Sequence, residues 1–234
     1  MNICICACQF YQRTPREKIA AVQAACRVAQ MPSATSATSC EIVPDLCYVA
    51  AKDRDRLTQL ASCDFVLACQ SRAVRSLLGN AGNAKCIDLR TEPLADILAA
   101  LSLTPMEAPV PELTYHEQKT DWTPWFPVID AERCTHCRKC VDFCMFGVYA
   151  IAHDKVCVIK PESCKTDCPA CARVCPQNAI MFPKSEDERL NGSLAEPVKP
   201  YQGEIDRQSA DDNLSFRERL KQRKGLRLFK EDAP

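Results

Sequence analysis

The sequence predicts two folded parts followed by a charged tail: an α/β domain with a small parallel sheet and helices, then a smaller α+β domain. Three observations carry this prediction. Strand and helix patterns alternate over residues 1–104, five of the sixteen prolines fall within 105–127, and nine of the eighteen cysteines lie within 128–183. We therefore predict an α/β domain over 1–104, a proline-rich linker over 105–127, a cysteine-rich domain over 128–183 and a tail over 184–234.

The first domain opens with a strand over Asn2–Cys8, where a period of two places cysteines on one face and isoleucines on the other. A helix follows, with Thr14 as its N-cap, Pro15 at its first position and Glu17 completing a capping box. Strands and helices then alternate, which is typical of a parallel sheet. The strands are predicted at Glu41–Val43, Asp64–Cys69 and Lys85–Leu89, and the helices at Asp53–Ala61, Ser71–Leu78 and Pro93–Leu103.

Composition excludes several classes of protein. Only six glycines are present, and none forms a dinucleotide fingerprint or a P-loop. Thirty acidic residues balance thirty basic ones, so no overall positive field favours nucleic acid. No apolar run approaches the ~20 residues of a membrane helix, and the first residues do not resemble a signal peptide. We therefore expect a cytoplasmic protein with reduced thiols, which suits cysteines that bind metal.

The second domain contains two short cysteine motifs. Gaps of two, two and three residues separate the cysteines of the first motif, and gaps of three, two and three separate those of the second, which Pro176 follows. The two motifs are Cys134, Cys137, Cys140, Cys144 and Cys164, Cys168, Cys171, Cys175. This pattern closely resembles that of bacterial two-cluster ferredoxins. Strands over Val128–Asp130 and Ala179–Pro183 flank the motifs, which agrees with that resemblance.

In the ferredoxin arrangement each motif supplies three ligands to one 4Fe-4S cluster and the fourth ligand to the other cluster. The resemblance therefore implies two crossed ligand sets, Cys134, Cys137, Cys140, Cys175 and Cys164, Cys168, Cys171, Cys144. The chain departs from the family pattern at Met145, where proline is usual, and in the wider gap between Cys164 and Cys168. The alternative is a pair of zinc knuckles, since Cys-x-x-Cys pairs also bind zinc.

The cysteines of the first domain are sorted by their place in the predicted sheet. Ligands of open parallel sheets gather at the carboxyl ends of the strands. Four cysteines fall there and are expected to converge: Cys6, Cys8, Cys47 and Cys69. Cys40 is held as a reserve ligand, whereas Cys4, Cys26 and Cys86 are interpreted as buried residues.

The motif Cys6-Ala-Cys8, the segment opening at Cys47 and the run Val66-Leu-Ala-Cys69-Gln-Ser-Arg72 together resemble a known domain. They are similar to the N-terminal cluster domain of heterodisulfide reductase flavin subunits and to small iron-sulfur subunits linked to hydrogenases. The resemblance covers about residues 2–80 and implies a third 4Fe-4S cluster. The alternatives are a flavodoxin-like fold whose cysteines only pack, a zinc site, or a chain with two clusters.

The leading functional hypothesis is an electron-transfer protein that passes single electrons through two or three 4Fe-4S clusters, as a subunit or carrier of a larger oxidoreductase complex. The expected partners are a flavoprotein, a hydrogenase or another oxidoreductase subunit. Two alternatives stay open: an enzyme that reduces a disulfide or other substrate at the first-domain cysteines, and a cluster-based sensor or scaffold. The tail is predicted to carry a short basic helix that starts at Ser215 and ends at Gly225.

Overall fold

The computed structural model describes residues 1–30, 38–79, 83–105 and 110–194. These residues belong to one compact unit. The predicted basic helix from Ser215 lies outside the described residues. Within the described ranges, no helix has the length and apolar character needed to cross a membrane.

The α/β part is built on a four-stranded sheet. Its strands run in the order β2-β1-β3-β4, and every neighbouring pair is parallel. The strand bounds are β1 Asn2–Cys6, β2 Ser39–Val43, β3 Phe65–Ala68 and β4 Lys85–Asp88. The predicted parallel sheet with helices is therefore confirmed.

Five helices cover the two faces of this sheet: α1 Arg16–Ala29, α2 Leu46–Lys52, α3 Arg54–Ala61, α4 Ser71–Leu78 and α5 Leu94–Ala100. Ile3 and Ile5 of β1 pack on one face against apolar residues of α1 and α5. Cys4 and Cys6 of the same strand pack on the other face against α2, α3 and α4. The period of two therefore separates an aliphatic face from a cysteine-bearing face.

Local details differ from the predictions at three places. β1 ends at Cys6, and Cys8 lies in the following loop with a left-handed φ of 49°. The Thr14 hydroxyl donates to the carbonyl of Cys6 (3.2 Å) instead of capping α1, whose N-cap position is Pro15, so the predicted cap was wrong. An additional helix, α2, precedes α3 because the Asp45 carboxylate accepts from Tyr48 N and starts a helix there.

The cysteine-rich part contains two small antiparallel pairs of strands and short helices. β5 (Val128–Ile129) pairs with β8 (Ile180–Met181), and β6 (Tyr149–Ala152) forms a hairpin with β7 (Lys155–Val158). The helices are α6 Lys139–Phe143, α7 Ala170–Val174 and α8 Glu188–Asn191. α6 and α7 each begin inside a cysteine motif, so the motifs alternate between loop and helix.

The two parts pack together through aromatic side chains and a buried ion pair. The ring centre of Trp125 lies 5.9 Å from that of Tyr11 and 5.3 Å from that of Phe182. Arg72 of α4 reaches across to Asp130, with 2.7 Å between Nε and Oδ2. The predicted domain boundaries stay predictions, but the residues on either side of 105–127 share one compact unit.

Candidate metal centres

The first candidate site is a small apolar cavity next to β5 and β8. Four cysteines line it: Cys134, Cys137, Cys140 and Cys175. Ile129, Val156 and Ile180 complete its wall. His136 and Arg138, which lie between the ligand candidates, adopt left-handed φ values of 54° and 66°. These turns bend the loop so that three cysteines of one motif face the same cavity.

The second candidate site is a cavity of about 280 Å³. Its cysteines are Cys144, Cys164, Cys168 and Cys171. Tyr149 and the apolar side chains of Met145 and Phe146 also line it. Each cavity thus contains three cysteines of one motif and the fourth cysteine of the other motif. This is the grouping that the resemblance to two-cluster ferredoxins implies.

Several cysteine sulfurs at these cavities accept hydrogen bonds. The Tyr149 hydroxyl donates to Cys171 Sγ over 3.0 Å, and the Ala179 backbone N–H donates to Cys175 Sγ over 3.4 Å. Burial raises the pKa of Cys164 to about 12 and the pKa of Cys171 to about 11. These thiols therefore stay protonated at neutral pH unless a metal centre stabilises the thiolate.

The donor sets fit an iron-sulfur cluster, which binds through cysteine thiolates. Each cavity offers four sulfur donors, the ligand type that such clusters use. No group of three or more His, Cys, Asp or Glu side chains in the described ranges is close enough to hold a single metal ion.

The structure also brings together the four cysteines predicted in the α/β part. Cys6 ends β1, Cys8 lies in the next loop, Cys47 is in the first turn of α2, and Cys69 follows β3. They meet beyond the carboxyl edge of the sheet, and each is at most 6% exposed. We call these four residues the buried quartet. Burial, followed by the charges of neighbouring quartet cysteines, raises the pKa of Cys69 well above its usual value.

The other cysteines of the α/β part lie elsewhere. Cys40 pairs with Ile3 across β1 and β2 and packs with the aliphatic face, where Cys26 is its hydrogen-bonding neighbour. Its predicted role as a reserve ligand is therefore wrong, because the sheet separates it from the buried quartet. Cys4 and Cys26 are buried as predicted, whereas Cys86 is only partly buried.

Two polar residues at the buried quartet were missed by sequence reasoning. Lys184 is 3% exposed, and its Nζ lies 3.3 Å from Cys8 Sγ. Gln70, directly after Cys69, is 1% exposed, and neither its amide nitrogen nor its amide oxygen has a hydrogen-bond partner among the described residues. The ammonium of Lys184 beside Cys8 Sγ suits an anionic centre at the buried quartet.

Comparison with known proteins identifies the cysteine-rich part. A 4Fe-4S binding domain family matches residues 126–149. A ferredoxin of Methanothermococcus thermolithotrophicus is 43% identical over 54 residues, which are 22% of this chain and 88% of that protein. The chain belongs to the ferredoxin family. Its cysteine-rich part is a 4Fe-4S ferredoxin domain, and we use that name below.

Two other relatives are uncharacterized ferredoxins of Methanocaldococcus jannaschii. One is 41% identical over 85 residues, 35% of this chain and 58% of that protein, so the chain spans little more than half of its length. The other is 41% identical over 54 residues, 22% of this chain and 86% of that protein. The resemblance of residues 2–80 to the cluster domain of heterodisulfide reductase flavin subunits stays a prediction.

Proposed function

We propose that the chain is an electron-transfer protein with two 4Fe-4S clusters in its ferredoxin domain and a third at the buried quartet. The observation that carries the first two clusters is the crossed lining of the two cavities. One cluster is held by Cys134, Cys137, Cys140 and Cys175, and the other by Cys164, Cys168, Cys171 and Cys144. When bound, such clusters accept and release single electrons.

The protein's own contribution is to fix the sulfurs and set their surroundings. Left-handed turns at His136, Arg138 and Asp167 shape the loops between ligands. The hydrogen bonds from Tyr149 and from the Ala179 backbone to the sulfurs withdraw electron density from them, which favours the reduced cluster.

The third cluster is supported by the buried quartet. Its four sulfurs come from β1, the loop after it, α2 and the residue after β3, and they lie at the edge of a parallel sheet where ligands usually bind. Leu46 N–H donates to Cys6 Sγ over 3.3 Å, the same kind of contact as in the ferredoxin domain. The ammonium of Lys184, 3.3 Å from Cys8 Sγ, also suits an anionic centre there.

The packing of the molecule also supports an order of electron transfer. Cys47 of the buried quartet belongs to an apolar cluster against which Cys164 of the second ferredoxin site packs. Cys137 of the first ferredoxin site is exposed. We therefore place the second ferredoxin site between the buried quartet and the first site. A flavoprotein, hydrogenase or other oxidoreductase subunit is the partner class that such a chain of clusters suits.

The alternative of a substrate-reducing enzyme is less well supported. Each cysteine of the buried quartet is at most 6% exposed, so a substrate would reach a sulfur only after the fold opened. The buried quartet therefore suits an electron relay better than a site of substrate chemistry.

The crossed assignment is tested with double variants of the full chain, purified anaerobically and reduced with dithionite. Cys175→Ala should remove one reduced four-iron signal from the electron paramagnetic resonance (EPR) spectrum. Adding Cys137→Ala should remove no further signal, because both residues serve one cluster, whereas adding Cys168→Ala should remove a second signal.

Cys157→Ala is the matched control, because Cys157 lies on β7 and lines neither cavity. It should leave all signals in place. The reverse pattern, with Cys168→Ala silent and Cys137→Ala additive in the Cys175→Ala background, would overturn the crossed assignment.

A further inference from the structure

Lys184 directly follows the predicted ferredoxin domain in the sequence, but its side chain contacts residues of the α/β part. It follows β8 and Pro183, and its side chain is 4% exposed. Its Nζ donates to Cys8 Sγ over 3.3 Å and forms an ion pair with the Asp45 carboxylate. Cys8 and Asp45 precede Lys184 by 176 and 139 residues, so only the folded chain brings these groups together.

An ammonium group in this position needs a physical reason. The Asp45 carboxylate forms an ion pair with Lys184 Nζ in the interior, and the same Nζ contacts Cys8 Sγ. The carboxylate therefore stabilises a positive charge on Lys184 next to the quartet sulfurs. Removing an ammonium from water is costly, so a buried ammonium needs a charge partner.

The carboxylate partner is fixed by the helix that carries Cys47. One oxygen of Asp45 accepts from Tyr48 N at the start of α2, and the other holds Lys184. Asp45 is fully buried, with a side-chain exposure of 0%. Asp45 is therefore both the N-cap of α2 and the charge partner of Lys184, whose ammonium contacts a quartet sulfur.

We infer that Lys184 is a positioning residue whose positive charge allows the buried quartet to hold an anionic cluster and raises the reduction potential of that cluster. This inference rests on the proposed third cluster. Reduction adds one electron and therefore one negative charge at the sulfurs, so a nearby ammonium stabilises the reduced form more than the oxidised form.

The sign of the effect differs between the two members of the ion pair. Lys184→Met removes the positive charge and should shift the potential of the third cluster to a more negative value. Asp45→Asn keeps an N-cap acceptor for α2 but removes the negative charge, so it should shift the potential to a more positive value. Lys184→Arg keeps the positive charge, so the potential of the third cluster should stay close to that of the unsubstituted protein.

The test is an EPR-monitored redox titration of the full-length holoprotein, with iron counted in each preparation. Opposite shifts of one signal in Lys184→Met and Asp45→Asn, with the other signals unmoved, support the inference. Loss of the third cluster from Lys184→Met but not from Lys184→Arg supports it as well, because the charge is then required for binding.

Two results overturn the inference. One is full iron content with an unmoved potential in Lys184→Met. The other is loss of the third cluster from both Lys184 variants, which would show that the shape of lysine matters and not its charge. Neither result is confused with failure of the proposed function, because a chain without a third cluster contains only about eight irons before any substitution.

Discussion

The ferredoxin domain and the buried quartet present four-sulfur sites of different construction. The ferredoxin sites draw their cysteines from two short motifs, and one ligand candidate, Cys137, is exposed. The buried quartet draws on β1, the loop after it, α2 and the end of β3, and its charge partner Lys184 comes from beyond the ferredoxin domain. Local motifs can shape a site by themselves, whereas the buried quartet depends on the packing of the whole compact unit.

The largest expected effect concerns the buried quartet. Cys69→Ala should lower the iron content of the full-length protein by about four per chain, because three sulfurs remain at a site built for four. Cys26→Ala, a buried cysteine on the other face of the sheet, is the matched control and should keep the full iron content. Equal iron content in both variants would mean that the buried quartet only packs.

A smaller effect is expected where the two parts join. Arg72→Ala leaves the Asp130 carboxylate, whose side chain is 8% exposed, without its main cation. We expect a loss of about 3 kcal/mol of unfolding free energy, visible as a lower Tm of the anaerobic holoprotein.

Lys52→Met is the control for that experiment. It breaks the ion pair between Lys52 and Glu162, whose side chains are 34% and 52% exposed. The unfolding free energy should fall by less than about 1 kcal/mol. If the two variants melted at the same temperature, the buried contact would not hold the α/β part against the ferredoxin domain.

The smallest effect concerns one hydrogen bond at the second ferredoxin site. Burial raises the pKa of Tyr149 well above its usual value, so its hydroxyl stays protonated and donates to Cys171 Sγ. Tyr149→Phe should therefore shift the potential of that cluster to a more negative value in a redox titration, with the iron content unchanged. Tyr115→Phe, whose hydroxyl instead meets Arg16, should shift no signal. An unchanged potential in Tyr149→Phe would show that this hydrogen bond does not affect the cluster potential.

Much of the fold was predictable because its signals are local. The alternation of strands and helices predicted the parallel sheet, and α4 begins and ends at the predicted Ser71 and Leu78. The Thr14 cap was wrong because its hydroxyl found the carbonyl groups at the end of β1. Sequence alone ranks residue types at a cap position, but a competing acceptor from another element decides which contact forms.

The cysteines of the candidate sites were predictable from the sequence, but their charged neighbours were not. The resemblance of the two motifs to those of two-cluster ferredoxins predicted which cysteines line each ferredoxin cavity, and the carboxyl-edge rule predicted the buried quartet. The role of Lys184 was not predictable, because in the sequence it is one of many charged residues of the predicted tail. Only the fold brings it into contact with Asp45 and Cys8. Cys40 was misjudged for the same reason, since only the strand register shows which face it occupies.

The most direct test of the three-cluster account is the iron and acid-labile sulfide content of the full-length chain, purified without oxygen and measured together with zinc. The account predicts about twelve irons and about twelve sulfides per chain, with a single-electron EPR signal from each of the three clusters on reduction. About eight irons would confine the clusters to the ferredoxin domain and leave the buried quartet as packing, and stoichiometric zinc in place of iron would contradict the account as a whole.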